Sequence, residues 1–164
     1  MSEVTIIPFE EKYTQEVVDL ILPIQRDEFN IDISIEDQPD LLRIKEEYID
    51  TGGNFWVALS EGKVIGTIAL VKLENHYGAI KKMFAAKSFR GEKQVGKKLL
   101  ETLVTYCKDQ GYERLYLGTV EVLKAAQRFY QKHHFERIDK SAMPKDYHLM
   151  DVDTEFFMRD LTKE

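Results

Sequence analysis

Apolar positions along this chain switch between two periods. Val4–Pro8 is a short β-branched run and reads as a strand. From about Thr14 to Glu28, Val17, Val18, Ile21 and Ile24 recur at helical spacing, and Pro23, which has no N–H to donate, is predicted to kink or end that helix. An irregular stretch, Phe29–Asp40, leads to a second predicted helix over roughly Leu41–Tyr48 and a turn at Thr51-Gly-Gly53. Alternation then takes over: Asn54–Leu59 and Lys63–Leu73 are predicted strands joined by the hairpin signal Ser60-Glu-Gly62, and a third strand covers about Tyr77–Ala85. The clearest helix is Val95–Asp109, where Val95, Leu99, Leu100, Leu103, Val104 and Cys107 form one apolar stripe and Gly111 supplies the left-handed stop. Arg114–Thr119 reads as a strand, Leu123–His133 as a helix, and Phe135–Ile138 and Thr154–Leu161 as final strands.

Strands come first as a meander and then alternate with helices. That order predicts an α/β fold with a mixed, mostly antiparallel central sheet flanked by helices on both faces. With 164 residues and no repeat, low-complexity tract or Pro/Ser-rich linker, a single domain over 1–164 is expected. No apolar run is long enough to cross a bilayer, and the start MSEVTIIPFEEKY has no basic-then-apolar signal segment. With one cysteine, Cys107, and hence no disulfide framework, these features lead to an expectation of a cytoplasmic protein without a membrane partner. A net charge of -6 argues against general affinity for nucleic acid, which depends on neutralising phosphates. The local exception is Arg90, Lys93, Lys97 and Lys98, gathered within nine positions.

That basic cluster lies where a predicted strand, a short loop and a helix start follow one another, within Lys81–Asp109. A helix start favours anions because its first amides lack intrahelical acceptors and the macrodipole adds partial positive charge. Gly91 and Gly96 permit close backbone approach, and the basic side chains add charge. From spacing alone, an anion site and a merely solvated basic helix start stand level. Met83-Phe-Ala-Ala-Lys-Ser-Phe-Arg-Gly-Glu-Lys-Gln-Val-Gly-Lys-Lys-Leu-Leu100, however, resembles the coenzyme A-binding motif of GNAT N-acetyltransferases, Gln/Arg-x-x-Gly-x-Gly/Ala between a strand and a helix. Ala125-Ala-Gln-Arg-Phe-Tyr-Gln-Lys-His-His-Phe135 is similar to the second motif of that family, A-x-x-F-Y-x-K-x-G-F, at the family's separation. The likeness runs over about Asn54–Phe135, and the chain's ending is similar to a bacterial subgroup.

The resemblance implies the GNAT fold and direct acetyl transfer from acetyl-CoA, the co-substrate, to a primary amine. It implies that pantetheine pairs with the backbone of Met83, Phe84 and Ala85, an amide of which stabilises the developing oxyanion. It assigns the pyrophosphate to Arg90, Gly91, Gln94, Val95, Gly96, Lys97 and Lys98. Tyr130 matches the family's general acid towards the departing thiolate; a phenol of pKa about 10 is protonated at neutral pH. The base is expected in the N-terminal region, where Glu28, Asp37 and Asp40 are candidates, with Glu74 and Glu121 as outsiders. Glu28 is favoured because it ends a helix beside the irregular Phe29–Asp40 segment, where Phe29, Gln38, Pro39, Asn54 and Trp56 could shape an acceptor site.

Several positions depart from the family pattern. Gln94 stands at the first motif glycine, where a non-glycine residue can still lend its amide if its φ is negative, and Arg90 sits one place early. His134 replaces the glycine of a helix cap, Leu123 replaces an Asn, and the strand His76–Met83 has no central Glu. These changes leave a second reading open: a GNAT-like module that binds acetyl-CoA as a sensor without turnover. A generic α/β nucleotide-binding protein ranks last, because no Gly-rich first turn or phosphate-loop Lys-Ser/Thr is present. No metal is expected: His133 and His134 diverge on a helix, and Asp151 and Asp153 lack a third ligand. The expected partner is a small-molecule or peptide amine, and a homodimer is open by analogy with relatives.

Overall fold

A computed structural model describes residues 3–90 and 94–164. Strand β1 is Val4–Pro8, helix α1 Thr14–Pro23, β2 Asn54–Ser60, β3 Lys63–Lys72 and β4 Tyr77–Ala85. Helix α2 follows over Val95–Asp109, then β5 Arg114–Thr119, α3 Lys124–Lys132, β6 Glu136–Ile138 and β7 Glu155–Asp160. Among the described residues, the strands bond in the order β1-β2-β3-β4-β5-β7-β6. The β4–β5 pair is parallel, whereas β1–β2, β2–β3, β5–β7 and β6–β7 are antiparallel, so the expected mixed, mostly antiparallel sheet is found. Among those residues no helix is long and apolar enough to cross a membrane.

The chain divides into two compact units. The first comprises Met1–Val71 and Lys81–Tyr106. Its strand β2 is covered on both faces, as the near-continuous run Phe55-Trp-Val-Ala58 requires. Phe55 and Val57 join Val17, Val18 and Ile21 of α1 in one core, while Trp56 meets Tyr106 of α2 edge-on, ring centres 5.2 Å apart. Gly66 of β3 makes the second contact close: a Cβ there would lie 2.9 Å from Val95 and 3.1 Å from Leu99. The β2–β3 turn has positive φ at both Glu61 (52°) and Gly62 (78°), the two-residue geometry that matches strand twist.

Two N-terminal helices differ from expectation. Helix α1 does not run regularly to Glu28; after Pro23 the chain winds one wide turn over Ile24–Glu28, with Phe29 N–H reaching back five residues to the Ile24 carbonyl at 3.1 Å. Proline offers no N–H, and this wider winding resolves the interruption. Leu41–Tyr48 is likewise no single helix but two turns, Pro39–Leu42 and Lys45–Ile49, broken at Arg43 (φ -139°). Its apolar anchors Leu41, Ile44 and Tyr48 are nonetheless buried, so the periodicity reported the buried side correctly and the backbone incorrectly.

The second unit comprises Lys72–Ile80 and Cys107–Glu164. Strand β5 pairs with β7 from Arg114↔Asp160 to Thr119↔Glu155, and Leu115, Leu117 and Phe157 are fully enclosed. Both helices that end here do so in the same way. At α2, Tyr112 N–H bonds the Cys107 carbonyl at 2.9 Å, and Gly111 lies at φ 81°. At α3, Phe135 N–H bonds the Tyr130 carbonyl at 3.0 Å around His134 at φ 71°, and the Phe135 ring packs on Tyr130 at 5.8 Å. These are left-handed caps with the accompanying hydrophobic contact. A histidine in the glycine position therefore folds normally, at a conformational cost.

A Cβ on Gly111 would meet nothing within 4 Å, so only backbone strain is at stake there. Gly111→Ala is expected to destabilise by about 1 kcal/mol and His134→Gly to stabilise by about the same amount. Urea unfolding midpoints should move in opposite directions; movement in the same direction would refute the cap assignment.

Candidate active site

The predicted donor-binding segment belongs to the first unit from Lys81 onward. The pairing of β4 with β5 covers Tyr77–Ala79 against Arg114–Tyr116, and the remainder of β4 runs on to Met83, Phe84 and Ala85, all half-buried. Midway, Lys82 has φ 50°, an unusual conformation for a non-glycine residue inside a strand. The buried Thr67 hydroxyl donates to the Lys82 carbonyl at 2.7 Å and holds this break in the pleat. Beyond the strand, Arg90 Nε donates to the Ala85 carbonyl at 2.9 Å.

Helix α2 starts as the anion reading needs. Among the described residues, the first bond of its ladder runs from Lys98 N–H to the Gln94 carbonyl at 3.0 Å, which leaves Val95, Gly96 and Lys97 in the turn where a helix has no internal acceptors for its N–H groups. The condition of a negative φ at Gln94 is not met: the residue lies at φ 53°. Gln94 thus adopts a left-handed shape that a glycine would take at little cost. A left-handed residue followed by helical ones turns successive N–H groups into one concavity, which suits an anion. Lys97 and Lys98 are exposed beside it, and Lys97 makes a long 3.9 Å contact with Glu101. Gly91, the remaining predicted phosphate ligand, and Lys93 lie outside the described residues.

Glu28 and Arg90, predicted for separate tasks, are bound to each other. The guanidinium grips the carboxylate with both nitrogens, Nη1 to Oε1 and Nη2 to Oε2, the latter at 2.9 Å, and lies over the Phe29 ring. This hydrogen-bonded cation lowers the Glu28 pKa, outweighing the opposing effect of burial. A carboxylate so held is a weak base.

The other proposed bases are placed as follows. Asp37 caps Ser34, accepting from its N–H at 2.9 Å and its hydroxyl at 3.0 Å. Glu121 is exposed near Lys124 at 3.9 Å, and Glu74 is exposed. Asp40 is embedded: Tyr48 Oη donates to its Oδ2 at 2.5 Å, and Lys82 Nζ lies 3.5 Å from the same oxygen. Lys82 also donates to Gln38 Oε1 at 2.6 Å, and the buried Gln38 and Gln25 amides bond each other. Burial lowers the Lys82 pKa and the Asp40 charge only partly restores it. Sequence reasoning missed Lys82. The signal was available: adjacent strand residues face opposite sides, so one of Lys81 and Lys82 has to turn towards the covered face. Trp56 is core, 4% exposed, and the Asn54 side chain accepts from Phe55 N–H at 2.9 Å.

In the second unit, Tyr130 is buried against Phe135 and Phe157. Burial, with a smaller contribution from the Asp153 charge, raises its pKa to about 12, so the phenol keeps its proton over the whole physiological range. Gln127, one turn earlier, donates to the Val120 and Glu121 carbonyls at 3.1 and 2.9 Å and fixes the helix start. Cys107 is buried as expected, and burial raises its thiol pKa to about 12.

Residues 18–135 match the Acetyltransferase (GNAT) family, and the chain belongs to it. A crystal structure of a GNAT-family acetyltransferase from Staphylococcus aureus Mu50 is similar to it, with 40% identity, a TM-score of 0.93 and coverage of 96% of this chain and 99% of that one. The N-acetyltransferase YjgM of Escherichia coli is 32% identical over 62% of this chain and 62% of its own. The PaiA N-acetyltransferase of Thermoplasma acidophilum, solved in complex with coenzyme A, shares the fold at 15% identity, with a TM-score of 0.74 over 96% of this chain and 99% of that one. The chain spans 47% to 62% of the length of three curated N-acetyltransferase relatives it matches.

Because the folded Glu28 pKa is below its ordinary value of 4.5, its ion pair contributes stability above that pH, and the contribution is lost as pH falls through the lower folded value. Carbon-detected titration should place Glu28 below 4.5 in the wild type and return it towards that value in Arg90→Gln. An unshifted wild-type midpoint would refute the pair.

Proposed function

We propose that this chain, acting as one acetyltransferase domain over 1–164, moves an acetyl group directly from acetyl-CoA to a primary amine. The observation that carries the proposal is the start of helix α2. Its first-turn amides, left-handed Gln94 and the exposed Lys97 and Lys98 stand close after the strand that ends in Met83, Phe84 and Ala85, an arrangement suited to an anion. Pyrophosphate at Arg90, Gly91, Gln94, Val95, Gly96, Lys97 and Lys98 would replace water with fixed dipoles and charges. Pantetheine would take the backbone of Met83–Ala85, where an amide faces the developing oxyanion. Tyr130, protonated and enclosed, supplies the proton to the departing thiolate.

Arg90 cannot grip Glu28 and a pyrophosphate with the same nitrogens. A pyrophosphate at Arg90 would therefore compete with the ion pair. A phosphate that draws Arg90 away would raise the Glu28 pKa and release the carboxylate to accept the amine's proton, directly or through water. Donor binding then switches on the base.

Thiol release from acetyl-CoA, measured against a panel of primary amines, tests the reading. Tyr130→Phe should lower kcat by about 100-fold with little change in the acetyl-CoA Kd. An unchanged kcat would remove Tyr130 from the mechanism. Acetyl-CoA binding without product from any amine would instead favour a non-catalytic sensor with this fold.

A further inference from the structure

Lys82 is a charged side chain that β4 turns into the polar network built by the N-terminal segment. Its side chain is only 17% exposed, yet its ammonium lies 3.5 Å from Asp40 Oδ2 and 2.6 Å from Gln38 Oε1. Every part of this network is itself braced. Gln38 is 3% exposed and bonded to the 7%-exposed Gln25, and Asp40 accepts the Tyr48 hydroxyl at 2.5 Å. The Lys82 backbone is locked at φ 50° by the Thr67 hydroxyl.

An ammonium has three N–H donors, and two acceptors face this one among the described residues. Asp40, already taken by a phenol, does not fully offset the loss of water around Lys82, and the lysine's pKa is held below its ordinary value as a result. With two acceptors for three donors among the described residues, this largely buried cation can take a further anionic oxygen. Lys82 adjoins Met83, with Cα atoms about 3.8 Å apart, so a group bound there stands beside the strand assigned to the acetyl donor.

We propose that Lys82 is a specificity-determining residue that binds a carboxylate of the acceptor, making the substrates amines that carry a carboxylate near the nucleophile, as amino acids do. This rests on the acetyltransferase reading. Asp40 and Gln38 position the ammonium, and the carboxylate completes its coordination while the substrate amine points to the donor strand. The charge balance favours this class over polyamines: a cationic acceptor would meet Asp40 only in competition with Lys82 and Tyr48.

The test compares free amino acids with their α-carboxamides as acceptors, using wild type, Lys82→Gln and Lys82→Arg, with thiol release as the readout. The wild type is expected to prefer the acid over the amide by about 10- to 100-fold in kcat/KM, mostly through KM. Lys82→Gln should bring that ratio close to one by raising KM for the acid, with the acetyl-CoA Kd nearly unchanged. Lys82→Arg should retain most of the preference and provides the check if Lys82→Gln fails to fold. A purely structural ion pair would lower the melting temperature of Lys82→Gln without changing the ratio, and that result overturns the inference. Turnover of amides or polyamines with no acid preference in the wild type also overturns it and leaves the acetyltransferase reading intact. Failure to acetylate any amine overturns both.

Discussion

The bond from the buried Thr67 hydroxyl to the Lys82 carbonyl is the contact on which the proposed chemistry of the first unit depends. It holds a left-handed residue inside β4, at a conformational cost of about 1–2 kcal/mol for a residue with a side chain. Strain of this kind persists only where surrounding structure over-determines it. Here the lysine head is fixed by Gln38 and Asp40 while its carbonyl is fixed by Thr67. Without the break, an evenly pleated strand would present Met83, Phe84 and Ala85 in a different order of faces. The same break turns a strand lysine towards the N-terminal segment.

The geometry immediately after that strand follows from two further constraints. Arg90 closes back onto the Ala85 carbonyl, which sets where the loop leaves the strand. Gly66 keeps the opposing surface of β3 flat enough for Val95 and Leu99 to approach, which sets where helix α2 begins. The concavity proposed as the anion site is therefore a product of close packing as much as of its own residues. Its left-handed Gln94 illustrates the point. Glutamine occupies a conformation that glycine would adopt more cheaply, because the helix it introduces is anchored by buried Val95, Leu99 and Leu100.

Much of this fold was legible in the sequence. Period-two runs located β1 to β5, and the stripe from Val95 to Cys107 located α2, because burial on a sheet or helix face imposes those spacings directly. The cap at Gly111 was readable from residue type and position, and that at His134 from its place in the motif the chain resembles. The N-terminal helical turns were not, since Pro23 and Arg43 alter the winding while leaving the apolar spacing intact. Polar contacts across the chain were less legible still. Lys82 and Gln38 are 44 residues apart and Arg90 and Glu28 are 62 apart, and no local pattern in one sequence encodes such pairings. Glu28 and Arg90 were each noticed for a separate reason, yet it is their mutual grip that gives the carboxylate its low pKa and suggests a link between donor binding and the base.

The central claim is that the start of helix α2 is a phosphate site for acetyl-CoA. Calorimetric titration of acetyl-CoA into the wild type and into Gly96→Glu addresses it most directly, with circular dichroism to confirm that both are folded. The account predicts saturable binding by the wild type and at least a roughly 100-fold weaker affinity in the variant, where a carboxylate would face the pyrophosphate. A folded wild type that does not bind, or a Gly96→Glu protein that binds equally well, would contradict it.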